Sequence, residues 1–141
     1  MARGAMSHLA LVVTDLAAAT AFYDAILGFM GYAWVPVPEA TQMLMKTPLV
    51  AYASPHGSIT IRPAKPEFAA MKFHRGSAGL NHFAFIAASR ADVDAMHAKL
   101  KEIGATVLDP PADYAYFPEY YAVYFTDPDG IKFEFAYAPA L

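Results

Sequence analysis

Two histidines and one glutamate carry the chemistry this sequence can do. His8 opens the alternating segment His8-Leu9-Ala10-Leu11-Val12-Val13, His82 opens His82-Phe83-Ala84-Phe85-Ile86, and Glu134 interrupts an otherwise apolar stretch from Phe133 to Tyr137. Two imidazoles and a carboxylate are the donors of an open, three-ligand divalent metal site, and iron(II), manganese, nickel and zinc all accept them. Cysteine is absent from all 141 residues, which removes disulfide frameworks, thiolate zinc sites and cysteine nucleophiles together. A carboxylate on an apolar strand is costly unless a cation or a hydrogen-bond donor meets it, so Glu134 is the residue that most needs a partner. The bland alternative is a Glu134 solvated at a rim or paired with Lys132.

The elements that must position these groups come from a duplication. Ser7-His8-Leu9-Ala10-Leu11-Val12 aligns with Asn81-His82-Phe83-Ala84-Phe85-Ile86 at the 74-residue offset from His8 to His82. Each copy reads as a strand followed by a helix. The first helix has Thr14 or Asp15 as N-cap, an apolar stripe of Leu16, Phe22, Ile26 and Leu27, and Gly28 where a C-cap is expected. The second has Ser89 as cap with Asp92 three residues on, a stripe of Val93, Met96, Leu100 and Ile103, and Gly104 at its end. Ser54-Pro55-His56-Gly57 and Asp127-Pro128-Asp129-Gly130 read as turns joining two strands in each half. Both halves are therefore β-α-β-β-β, module 1 about residues 7–62 and module 2 about 80–138, with residues 63–79 as linker and 39–48 as a loop. The expected fold is a single α+β domain spanning 1–141, its eight strands forming a cupped mixed sheet backed by two helices.

Strand parity then selects what faces the concave side. It places His8, Ala10 and Val12 there from the first strand, and His82, Ala84 and Ile86 from its repeat. On the last strand Phe133, Phe135 and Tyr137 form the buried row, which leaves Lys132 and Glu134 in the cup. The repeat pairs Glu134 with Thr60, a weak ligand at best; counting from the turns instead gives Ile61, but parity prefers Thr60. An octahedral ion would keep three open positions. Arg62 shares the face of Thr60 and could hold an anionic group of a substrate.

The patterns Ser7-His8 through Phe22-Tyr23-Asp24 and Leu27-Gly28, Asn81-His82-Phe83-Ala84-Phe85, and Phe125-x-Asp127-Pro128-Asp129-Gly130-x-x-x-Glu134 resemble the glyoxalase/bleomycin resistance protein/extradiol dioxygenase superfamily, also called vicinal oxygen chelate. The resemblance runs from Ser7 to Tyr137 and implies paired βαβββ modules, a homodimer, and a divalent metal held by His8, His82 and Glu134. Glyoxalase I carries a fourth, proton-moving ligand where this chain has Thr60, which argues against lactoylglutathione lyase and methylmalonyl-CoA epimerase activities. Thiol transferases and extradiol dioxygenases look closer in their three-ligand set, although the transferases have a hydroxyl where this chain has Ala10. Tyr124 stands ten residues before Glu134, the spacing at which those dioxygenases keep a tyrosine that hydrogen-bonds the substrate oxygen. His74 is the nearest match to their acid/base histidine, but lies closer to His82 than the family spacing.

Composition bounds the rest. Ten basic and thirteen acidic residues give a net charge of -3 with no basic run, which argues against nucleic acid. No apolar run approaches the roughly 20 residues of a membrane span. Residues 1–6 show no leader, so a soluble, cytoplasmic protein is expected. A mean hydropathy of +0.28 leaves apolar surface for a homodimer interface or an apolar cleft. His56 in a turn and His97 on a helix read as solvent-facing. The resulting expectation is a metal-dependent small-molecule enzyme, with His8, His82 and Glu134 as ligands, Tyr124 as hydrogen-bond donor, and Arg62 and Thr60 near substrate. The rival is a metal-free protein that sequesters an antibiotic in an acidic, aromatic groove built from residues 114–119.

Overall fold

The computed structural model describes residues 3–141. Met1 and Ala2, which open the stretch read for a leader, lie outside the described residues. The chain divides into two compact units, Met1–Met71 and Lys72–Leu141, a boundary that falls inside the expected linker. Among the described residues no helix is long and apolar enough to cross a membrane.

The first unit runs β1 (His8–Val13), α1 (Leu16–Phe29), β2 (Ala33–Val35), α2 (Glu39–Met45), β3 (Val50–Ser54) and β4 (Gly57–Pro63). Its sheet has the order β1-β4-β3-β2, with β1 parallel to β4 and the other pairs antiparallel. Alternation decides the faces as expected. Leu11 and Val13 are buried with Phe22, Tyr23, Ile26 and Leu27 of α1 and with Tyr52, Ile59 and Ile61, whereas His8, Ala10 and Val12 are exposed. Asp15, not Thr14, caps α1, its carboxylate accepting the Ala18 N–H at 3.0 Å.

Two local expectations are corrected. Gly28 stays within the last turn of α1, and Gly31, at φ 82°, takes the left-handed position instead. There the N–H groups of Gly31 and Tyr32 reach back to the carbonyls of Gly28 and Leu27. The expected loop at 39–48 contains α2, which begins after Pro38 without a side-chain cap and buries none of its residues. With neither a cap nor an apolar stripe, its sequence carries no helix signal.

The second unit runs β5 (Phe83–Ile86), α3 (Arg90–Glu102), β6 (Thr106–Asp113), β7 (Tyr121–Thr126) and β8 (Lys132–Tyr137), with sheet order β5-β8-β7-β6. Ser89 Oγ accepts the Asp92 N–H at 3.1 Å, and Gly104, at φ 67°, ends the helix. Val93, Met96 and Leu100 of α3 are fully buried, and the helix packs on β6, β7 and β8. On the helix side the stacked rings of Phe85, Phe133 and Phe125 continue the core. In the β7–β8 turn, buried Asp127 accepts the N–H groups of Asp129 and Ile131, both at 2.9 Å.

Among the described residues the eight expected strands are thus present as two four-stranded mixed sheets, one per unit, with three α-helices in place of two. The duplication reappears in the pairing register. Ala10 stands opposite Thr60 across β1 and β4, and Ala84 opposite Glu134 across β5 and β8. Thr60, rather than Ile61, is the structural counterpart of Glu134.

Tyr52 ties the first sheet to its helix, donating to Asp24 Oδ1 at 2.5 Å. Burial first, and then the bond and charge of Asp24, push its phenol well above the ordinary tyrosine range. Tyr52→Phe is expected to cost about 1 kcal/mol in urea unfolding at pH 8. The raised phenol makes its contribution whole below the unfolded value of about 10 and lets it drain away as the pH climbs beyond that. The gap between wild type and variant should therefore narrow at pH 11; an equal gap at both pH values contradicts the assignment.

Candidate functional site

Glu134 lies in the middle of β8, between Ala84 of β5 and Tyr124 of β7, on the face turned away from α3. It is only 2% exposed. Tyr120 donates its hydroxyl to Oε1 at 2.5 Å, Tyr124 also hydrogen-bonds the carboxylate, and His82 Nε2 stands 3.2 Å from Oε2. Burial first, and then the bond to Glu134, push both phenols far above the usual tyrosine range. They are donors to this carboxylate at any working pH, not bases. Lys132 is not the partner of Glu134: its amino group sits over the Tyr124 ring, 4.3 Å from the centroid. The rim alternative is thereby corrected, because Glu134 is buried and its nearest basic neighbour is the His82 imidazole rather than Lys132.

The orientation of His82 follows from the residue before it. Asn81 Nδ2 donates to the carbonyl of Arg75 at 3.1 Å, which turns the amide oxygen toward His82 Nδ1 at 2.7 Å. An amide oxygen only accepts, so Nδ1 carries a proton and Nε2 is the ring nitrogen turned to Glu134 Oε2. With a bare Nε2 the two atoms would be acceptors facing each other, so either a proton on Nε2 or a metal ion joins them at 3.2 Å. Donors on one ion with bonds of about 2.1 Å lie about 3.0 Å apart at right angles and about 3.4 Å apart in a tetrahedron. The observed separation falls between those values, so the pair fits two positions of a divalent metal site. Asn81 supplies the outer hydrogen bond that metal-binding histidines ordinarily have.

His8, at the start of β1, repeats this arrangement, with Ser7 Oγ 3.3 Å from its Nδ1. Thr60 and Arg62 lie on β4, opposite Ala10 and Val12, and so share the sheet face of His8. The structure brings His82, Glu134 and Tyr124 together within the second unit. Among the described residues no group of three or more His, Asp or Glu side chains stands together to hold an ion, and the second unit by itself brings together two of the expected ligands, His82 and Glu134.

A cavity of about 450 Å³ opens on this pair, lined by Asn81, His82, Asp109, Tyr114, Tyr116, Phe117, Tyr120, Tyr124, Lys132, Glu134 and Leu141. Much of its wall belongs to the connection between β6 and β7, closed by the Tyr114 N–H on the Tyr120 carbonyl at 2.9 Å. Tyr114 and Tyr116 stack there with centroids 5.4 Å apart, and Tyr114 meets Tyr124 edge-on at 5.3 Å. Sequence reasoning missed Tyr120 and Asn81. The available signal for Tyr120 was parity, since Tyr120, Ala122 and Tyr124 alternate onto one face and Tyr124 is the cross-strand neighbour of Glu134.

Residues 5–135 match the family model of the Glyoxalase/Bleomycin resistance protein/Dioxygenase superfamily. An uncharacterized protein of Bacillus subtilis strain 168, YqjT, is 33% identical over 92% of this chain and 95% of its own length. A solved protein from Bacillus halodurans, provisionally assigned as a glyoxalase, is 32% identical with a TM-score of 0.79, covering 96% of this chain and 97% of the other. A variant of FosX, a fosfomycin resistance protein from Listeria monocytogenes solved with Mn(II) and 1S,2S-dihydroxypropylphosphonic acid, has the same fold at 21% identity. Its TM-score is 0.73, and the match covers 99% of this chain and 95% of that one.

Removing one donor from a buried carboxylate leaves part of its desolvation uncompensated. Tyr120→Phe is expected to lower stability by about 1–3 kcal/mol in urea unfolding, against less than about 0.5 kcal/mol for Tyr116→Phe at an exposed ring. Equal small losses in both variants would show that the Tyr120 bond to Glu134 carries nothing.

Proposed function

The chain belongs to the Glyoxalase/Bleomycin resistance protein/Dioxygenase superfamily, and on that footing we propose that it is a divalent-metal-dependent enzyme acting on small molecules. The observation that carries this reading is His82 Nε2 facing Glu134 Oε2 across 3.2 Å in a cavity wall, a separation that suits two ligands of one divalent ion. His82 and Glu134 are two of the ligands. His8 is the third, from the same chain or from the second copy in a homodimer. The donor set suits iron(II), manganese, nickel or zinc, and Mn(II) in the fosfomycin resistance protein of the same fold supports a divalent ion. Bound there, the ion supplies Lewis-acid charge to two neighbouring substrate oxygens, the chemistry shared by lyase, isomerase and dioxygenase reactions.

The side chains limit what else happens. Tyr124 lines the cavity beside Glu134 with its phenol held protonated, so it meets substrate as a hydrogen-bonding hydroxyl rather than as a base. Thr60 stands where Glu134 has its counterpart and offers a hydroxyl in place of a carboxylate base. Arg62, on the same face, is a contact for an anionic substrate group. A second reading is favoured by the five aromatic rings of the cavity, Tyr114, Tyr116, Phe117, Tyr120 and Tyr124: a metal-free protein that sequesters an antibiotic.

Metal analysis separates the readings. Protein purified without chelator, then supplied anaerobically with Fe(II), Mn(II), Ni(II) or Zn(II), is expected to hold about one equivalent of at least one ion. His82→Ala and Glu134→Ala should abolish binding, and Asn81→Ala should weaken it about 10–100-fold. Less than about a tenth of an equivalent in wild type with every ion would favour the sequestering protein. If metal binds, oxygen uptake with a catechol panel distinguishes a dioxygenase from a lyase.

A further inference from the structure

We propose that the cavity of the second unit takes a small substrate carrying an anionic group, a carboxylate or a phosphate-type oxyanion, and that Lys132 is the residue that receives it. This deepens the reading above and rests on it for the neighbouring ion. Lys132 opens β8 and shares a sheet face with Glu134, one strand repeat of about 6.6 Å away. The parallel register of β5 and β8 sets Phe83 opposite Phe133, which brings His82 level with Lys132 on that same face. An anion held by Lys132 therefore lies directly beside the histidine and glutamate.

Lys132 is the one lysine or arginine lining this cavity, which also contains the carboxylates of Asp109 and Glu134. Among the described residues it nevertheless forms no ion pair. Glu134 is occupied by Tyr120, Tyr124 and His82, and the Lys132 ammonium rests on the face of Tyr124 instead. A ring face holds an ammonium only weakly and engages none of its N–H donors in a conventional hydrogen bond. All three remain available to a ligand oxyanion. With a divalent ion at His82 and Glu134, two negative side chains face three positive charges, which favours an anionic guest over a neutral one of the same shape.

The test uses 3,4-dihydroxybenzoate and 3,4-dihydroxybenzamide, which match in shape and differ by one charge. Calorimetric titration of Mn(II)-loaded wild type should show the benzoate bound about tenfold more tightly or better. Lys132→Met should erase that preference and Lys132→Arg should keep it, with Mn(II) affinity unchanged in both and folding checked by circular dichroism. A preference that survives Lys132→Met, or none in wild type, overturns the assignment. If wild type binds no Mn(II), the titrations use whichever of Fe(II), Ni(II) and Zn(II) it does bind; if it binds none, the metal reading falls, and the same titrations on metal-free protein decide the role of Lys132 alone. There, a benzoate preference lost in Lys132→Met supports it, and any other pattern refutes it.

Discussion

A carboxylate with almost no access to water sets the terms for the second unit. Glu134 sits on the side of the sheet where Tyr120, Ala122, Tyr124, Ala136 and Ala138 form a buried cluster, with Leu108 and Tyr114 packed on it. In such surroundings an unmatched negative charge would cost several kcal/mol; the Tyr120 and Tyr124 hydroxyls, just before and within β7, offset part of that cost, and His82, just before β5, adds to that offset once a proton or a metal ion joins it to the carboxylate. Buried ionic groups of this kind are frequently no more stabilising than apolar residues of the same size. Stability alone therefore gives little reason for a glutamate here, and its presence is better understood through what its free edge and His82 can bind together.

The duplicated frame explains both the symmetry and the asymmetry of the molecule. Each unit sets its histidine at the head of a strand paired in parallel with the last strand of the unit, and each precedes that histidine with an oxygen-bearing side chain near Nδ1. The two copies differ in what those oxygens can do. Asn81 presents an obligatory acceptor and so fixes the tautomer of His82, whereas the Ser7 hydroxyl can give or take a proton and leaves His8 unassigned. The same divergence separates Glu134 from Thr60. One backbone plan thus supplies two sheets, and one of them concentrates the charged chemistry.

Much of this was legible because strand parity is a strict rule. Leu11 and Val13 going inward required His8 to turn outward, and the 74-residue offset that aligned the histidines also located Thr60 correctly against Glu134. Capping chemistry fixed the starts of α1 and α3 for the same reason, since Asp15 and Ser89 meet specific N–H groups. What escaped depends on tertiary reach or on absent signals. Tyr120 is one of five tyrosines between 114 and 124, and only the folded strand shows that its hydroxyl lands on Glu134. Asn81 looked like a strand leader until the Arg75 carbonyl oriented its amide. Helix α2 has exposed Met43 and Leu44 and no cap, so nothing in its pattern distinguished it from a loop.

The claim at the centre is that one cation bridges the His82 imidazole and the Glu134 carboxylate. Anomalous diffraction at the manganese edge from crystals grown with Mn(II) tests it most directly. The account predicts a single strong peak about 2.1 Å from both His82 Nε2 and Glu134 Oε2. Maps with the two side chains still facing each other at their present separation, and no anomalous density between them with Mn(II) or, at their own edges, with Fe(II), Ni(II) or Zn(II), would contradict it.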